Sequence, residues 1–187
     1  MSPPEQSDFT ETMLDTRRVF DGTLLHVRAD TVRLPNGHTS TREYIEHPGA
    51  ATVLAFVDDR TLLMERQYRY PLRRHFIELP AGKIDPGETH LETAQRELRE
   101  ECGYEAGSWR HLATLHPSIG YADEHIELYL ARDLVRVGQA LDEDEFLDVF
   151  EATVDEALEW VRAGRITEPK AILGLLWADK LVRGEWS

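Results

Sequence analysis

Glu97 and Glu101 stand four residues apart in a segment, Glu88 to Cys102, of strongly helical composition. At about 100° per residue the two carboxylates share one face, beside an apolar stripe of Leu91, Ala94, Leu98 and Cys102. Like charges at this spacing repel and destabilise a bare helix; a divalent cation removes the conflict. Carboxylate oxygens in modest number, with room left for water and phosphate, suit Mg²⁺ or Mn²⁺. On its own, a Glu-Glu pair is more often a solvated helix face than a metal site. The turn Asp85-Pro86-Gly87 leads into this helix, and Gly103 is suited to stop it.

The wider spacing discriminates between the two readings. Gly82, five residues, Glu88, seven residues, then Arg96-Glu97-Leu98-x-Glu100-Glu101-x-Gly103 resembles the Nudix box, with Tyr104 where an aliphatic residue is usual. Further segments, His47-Pro48-Gly49-Ala50, Arg66-Gln67-Tyr68-Arg69, Glu78-Leu79-Pro80-Ala81-Gly82 and Asp142-Glu143-Asp144-Glu145, resemble the ADP-ribose pyrophosphatase branch of the Nudix hydrolases. The resemblance runs from Arg17 to about Glu185. It implies an α/β/α sandwich of mixed α+β class built on a mixed sheet, with an N-terminal antiparallel β region that joins two subunits in a homodimer. The implied reaction is Mg²⁺-dependent hydrolysis of the diphosphate of a nucleotide sugar, with Mn²⁺ as a substitute ion. ADP-ribose, cleaved to AMP and ribose 5-phosphate, is the leading substrate. GDP-mannose or another nucleotide sugar is the alternative, as is a non-catalytic nucleotide-sugar sensor.

The same resemblance assigns roles. Glu97, Glu101 and the carbonyl of Ala81 would ligate the metal, with Glu145 as an additional ligand. Glu143 would be the general base, its role exchangeable with that of Glu145, and Glu100 joins the catalytic carboxylates as a further ligand. Glu88 and Arg96 would brace loop and helix. Arg69 would contact the diphosphate, where a guanidinium offers paired hydrogen bonds. Arg42 and Glu43 would line the adenine site, and Ser118, Gly120 and Glu124 the sugar side. This branch commonly carries a proline between the positions of Ser118 and Gly120. Ile119 stands there instead, which leaves the reaction class intact and the nucleotide sugar open.

Several elements must position these groups. Residues 1–15 read as a flexible tail, 16–47 as the N-terminal β region with a hairpin turning at Pro35-Asn36-Gly37, and 48–187 as the hydrolase domain. Ala50 to Val57 is a continuous apolar run, the pattern of a buried strand. Thr61–Arg69, Phe76–Ala81, 109–116, 125–132 and Phe146–Thr153 read as further strands, and Val154–Ala163 and Pro169–Val182 as amphipathic helices.

Composition bounds the partners. A chain of 187 residues with 41% hydrophobic and 30% charged residues fits a globular protein of one main domain. A formal net charge of −14 argues against nonspecific nucleic-acid binding. Without an apolar run of membrane-spanning length, no membrane partner is expected. The single cysteine, Cys102, fits a reducing cytoplasm. The histidines give no zinc-site signal along the chain: His111 and His116 are separated by strand residues.

Overall fold

A computed structural model describes residues 7–141, 143 and 145–186. The chain forms two compact units: one runs to His47 and includes Ser118–Glu124, and the other comprises Pro48–Pro117 and His125–Ser187.

The smaller unit is an antiparallel sheet in the order β1 (Thr12–Asp21), β2 (His26–Arg33), β3 (Thr39–Glu46). The β2–β3 turn is closed by Gly37 N–H donating to the Leu34 carbonyl at 2.9 Å. Strand β1 begins inside the segment expected to be a tail. Residues 1–6 of that segment lie outside the described residues, whereas Thr12–Asp15 pair with Thr31–Arg33. All ten β1 residues are exposed, so no alternation of burial marks the strand in the sequence. Its order comes from the β2 ladder, a non-local interaction. Beyond β3, the 118–124 segment returns to the strand end: Ile45 N–H donates to Tyr121 O (2.9 Å) and Asp123 N–H to Ile45 O (3.2 Å).

The larger unit is built from β4 (Ala50–Ala55), β5 (Thr61–Arg69), β6 (Arg74–Glu78), β7 (Ala81–Lys83), α1 (His90–Cys102), β8 (Tyr104–Leu115), β9 (Ile126–Arg136), β10 (Leu147–Thr153), α2 (Val154–Arg162) and α3 (Pro169–Val182). One sheet has the order β7-β4-β9-β8, the other β10-β5-β6. The β4–β9 pair is parallel and its neighbours antiparallel, so the first sheet is mixed.

Strand β4 is buried throughout because both its faces are covered. Ala51, Val53 and Ala55 pack with Ala94, Leu98 and Cys102 of α1. Leu54 belongs to the cluster holding Ala157 of α2 and Ala171, Leu175 and Ala178 of α3. On β9, Leu128 and Leu130 join the second cluster while Ala131 joins the first. Period-two alternation thus feeds two opposite cores and gives the expected α/β/α layering. The expected strand 76–81 is instead two strands in different sheets. Pro80 has no N–H to extend a ladder; its carbonyl accepts from Val53 N–H (2.9 Å) and the Thr52 hydroxyl (3.1 Å). Helix α1 opens with a reciprocal capping box between Thr89 and Glu92 and closes at Gly103. Among the described residues, no helix is long and apolar enough to cross a membrane.

Candidate active site

The apolar stripe of α1 presses its neighbouring carboxylates inward. Glu97 and Glu101 are buried, 8% and 3% exposed, so they are not a solvated face. Arg96 organises the entrance to this region. Its Nε and Nη2 bind the two oxygens of Glu88 at 2.8 and 3.1 Å. Nη1 reaches Glu97 Oε1 (2.8 Å) and Glu100 Oε2 (3.0 Å), and Nη2 also donates to the Lys83 carbonyl (3.1 Å). These bonds occupy all five guanidinium N–H donors. The hydrogen bond from Arg96, with help from Thr93, holds the Glu88 carboxyl at about 2.

Deeper in, burial outweighs the positive charge within reach. Burial pushes the Glu97 carboxyl up to about 7; Arg96 draws it down, while Glu145 and Glu100 push it up again. Burial, then the charges of Glu65 and Glu97, hold Glu101 higher still, against one opposing hydrogen bond from Ala81 N–H at 3.0 Å. Glu65 of β5 is buried and raised chiefly by that burial; its Oε1 accepts from Cys102 Sγ at 3.2 Å. Gly82 lies against Glu97 so closely that a Cβ there would fall 1.7 Å from Glu97 Oε1.

Glu78, on β6, is also buried but fares differently. Burial pushes its carboxyl up, yet Arg69 and Lys170 outweigh that and hold it at about 2. Arg69 Nε and Nη2 bind its oxygens at 2.7 and 2.9 Å, and Lys170 Nζ of α3 lies 2.5 Å from Oε2. The bidentate pair fixes the plane of the Arg69 guanidinium and uses two of its five donors.

The larger unit therefore gathers Ala81, Glu88, Arg96, Glu97, Glu100 and Glu101, with Glu145 near enough for its charge to act on Glu97 and Glu101. Glu143 is exposed, and Asp142 and Asp144 of the acidic loop lie outside the described residues. In the smaller unit Arg42 is engaged by Glu11 (Nε to Oε2, 2.9 Å) and by Ser40 and the Thr41 carbonyl. Glu43 is exposed, Glu124 lies 3.8 Å from His47, and Ser118 bonds the Tyr121 hydroxyl at 3.3 Å. Gly120 is exposed, and Ile119 is 84% exposed.

Sequence reasoning missed Glu65, Lys170 and the role of Glu78. An acid directly following Leu62-Leu63-Met64 was a usable signal for Glu65. Lys170 gave none, because 92 residues separate it from Glu78.

The donor set fits a hard divalent cation. Glu97 and Glu101 are carboxylates that burial makes costly to ionise, with the charge of Glu97 adding to the cost at Glu101, and carboxylate oxygen suits Mg²⁺ or Mn²⁺. A bound cation would invert that local charge balance.

Fold and site together define an acid-rich α/β/α hydrolase carrying an N-terminal β unit. Residues 46–172 match the NUDIX domain, and residues 11–45 the nucleoside diphosphate sugar hydrolase N-terminal domain. The chain belongs to the Nudix family and is a Nudix hydrolase. It is 43% identical over 169 residues to the methanol dehydrogenase activator of Bacillus methanolicus, covering 89% of this chain and 91% of that one. It is 39% identical to an ADP-ribose pyrophosphatase of Bacillus subtilis (strain 168), covering 86% and 88% of the two chains. A crystal structure of an ADP compounds hydrolase superposes with a TM-score of 0.84 at 24% identity, covering 97% of this chain and 98% of that one, a likeness of fold.

Two outcomes follow from this geometry. In Gly82→Ala the flexible carboxylate of Glu97 is the atom that yields, so hydrolysis falls at least about 100-fold while Tm changes little; near wild-type activity would overturn the Gly82–Glu97 contact. The second concerns pH. Carboxyls raised above 4.5 in the fold contribute stability that is fully present below that value and lost as pH rises, through about 7 for Glu97 and beyond for Glu101. In EDTA at pH 8, Glu101→Gln is therefore more stable than wild type by roughly 1–3 kcal/mol, a gain that vanishes toward pH 4. Calorimetry showing wild type at least as stable at pH 8 would refute this.

Proposed function

We propose that this enzyme hydrolyses the diphosphate bond of a nucleoside diphosphate sugar, with ADP-ribose as preferred substrate and AMP and ribose 5-phosphate as products. The observation that carries the reading is the buried Glu97–Glu101 pair: Arg96 binds Glu97, yet burial still holds both carboxyls well above the usual carboxylate range. Mg²⁺, or Mn²⁺ in its place, would be held by Glu97, Glu101, the Ala81 carbonyl and Glu145, with Glu100 as a further carboxylate. When bound, the ion neutralises charge building on the phosphate oxygens.

This chain's own residues divide the remaining work. Glu143, on the acidic loop, takes the proton of the attacking water. The P–O–P bridge breaks as the new P–O bond forms, and the leaving phosphate carries away the bridging oxygen. Arg69, its plane fixed by Glu78, orients the diphosphate. Arg96 and Glu88 hold the Lys83 carbonyl and the start of α1 in register. Arg42 and Glu43 receive the adenine, and Ser118, Gly120 and Glu124 the terminal sugar. The single cysteine fits action in the cytoplasm.

A second reading, GDP-mannose as substrate, is favoured by the exposed Ile119 in the 118–124 segment. GDP-mannose pyrophosphatases, among them one of Salmonella choleraesuis, are 31% identical over 143 residues, covering 71% of this chain and 74% of the relative.

Strand β1 supports a homodimer. It exposes Met13, Leu14, Val19 and Phe20 on one edge of a three-stranded sheet, and Leu24 and Leu25 follow. Such apolar surface on an edge strand invites a second chain.

A panel of ADP-ribose, GDP-mannose, ADP-glucose and nucleoside triphosphates, assayed with Mg²⁺ and with Mn²⁺, is expected to give the highest kcat/KM for ADP-ribose. Glu101→Gln should lower it at least about 100-fold. A higher value for GDP-mannose selects the second reading, and tight binding without turnover would make the chain a sensor. In sedimentation, wild type should run as a dimer and Val19→Asp/Phe20→Asp as a monomer; a monomeric wild type overturns the assembly.

A further inference from the structure

Four side chains of the larger unit that play no part in the proposed hydrolysis converge from separate elements. His90 is the first residue of α1, His125 immediately precedes β9, Glu127 lies in β9, and His111 lies in β8. The Nε2 atoms of His90 and His125 are 3.1 Å apart, with the rings tilted by 60°. One ligand atom from each of His90, His125 and Glu127 falls within 4.8 Å of the other two. We propose that His90, His125 and Glu127 form a second metal site, selective for Zn²⁺ and separate from the carboxylates of α1.

The spacing fits the ion. Two imidazole nitrogens about 2.05 Å from a tetrahedral Zn²⁺ lie roughly 3.3 Å apart. Without an ion, the facing Nε2 atoms can share only one proton, and two imidazolium rings would repel. The carboxylate is braced from outside: His111 Nε2 lies 2.5 Å and the Thr114 hydroxyl 2.8 Å from Glu127 Oε2. Both contacts use the same oxygen, so Oε1 is the one assigned to the ion. Burial pushes the Glu127 carboxyl up, but Thr114, His111 and the charge of His90 outweigh it and keep the acid readily ionised. Space has also been kept for the His125 ring: a Cβ on Gly49 would fall 2.8 Å from its Nε2.

Two imidazoles and one carboxylate leave a fourth position for water. Imidazole suits Zn²⁺ and other late first-row ions, whereas Mg²⁺ takes oxygen. The helix would then carry two ions of different kinds, one at its first turn and one along its last turns. The zinc ties the first turn of α1 to the start of β9, joining by a bond what sequence separates by 35 residues.

Titration calorimetry of the metal-free full chain with Zn²⁺, in Mg²⁺-free buffer near neutral pH, tests this. One equivalent should bind to wild type and equally to Glu97→Gln/Glu101→Gln. Affinity should fall at least about 100-fold in His90→Asn and His125→Asn, and about 10–100-fold in His111→Ala. Circular dichroism checks folding; because His90 is half-exposed at a helix end, His90→Asn keeps the test decisive should His125→Asn unfold. No binding to wild type, wild-type affinity in folded His90→Asn, or loss of binding in the double glutamine variant would each overturn the site.

Discussion

Helix α1 forces more negative charge into the protein than its neighbours can neutralise, and much of the surrounding structure answers that imbalance. Glu65, Glu97 and Glu101 are all buried, and the charges of the first two raise the charging cost of Glu101. At the outer edge Arg96 spends its whole hydrogen-bonding capacity on three glutamates and one carbonyl. At the inner edge a single peptide N–H, that of Ala81, reaches Glu101. The split between β6 and β7 puts that peptide there, and Gly82 follows because anything larger collides with Glu97.

Glu78 shows what the same residue type does when its charge is met. It is as buried as Glu101, yet one arginine and one lysine keep it ionised. Glu78 is thereby a structural anion that aims Arg69. Glu101 is left as an acid in want of a cation. The contrast lies entirely in the neighbours, since burial acts on both in the same direction.

Local pattern made much of this legible. Strand β5 and helix α3 have the bounds that the sequence suggested, because apolar runs, caps and Pro169 mark their ends. The buried face of α1 followed from its stripe. The misses share one cause, which is that the determining contact is remote in sequence. Strand β1 is ordered by a ladder and has no buried side to betray it. Lys170 reaches Glu78 across 92 residues. The histidines looked unrelated because spacing along a chain says nothing about residues that α1, β8 and β9 bring together.

The cost of burying the Glu101 charge has a consequence for the protein's life in a cell. A site strained by its own charge makes the unliganded chain the less stable form, and any ion that binds only the folded state shifts that balance by mass action, by about 2.7 kcal/mol at a hundred times its dissociation constant. Such a difference changes the population of unfolded chains that proteases and chaperones encounter. With the proposed ion at Glu97 and Glu101, the steady-state amount of this enzyme would follow the supply of that ion: a cell short of it would hold fewer copies, as well as idle ones.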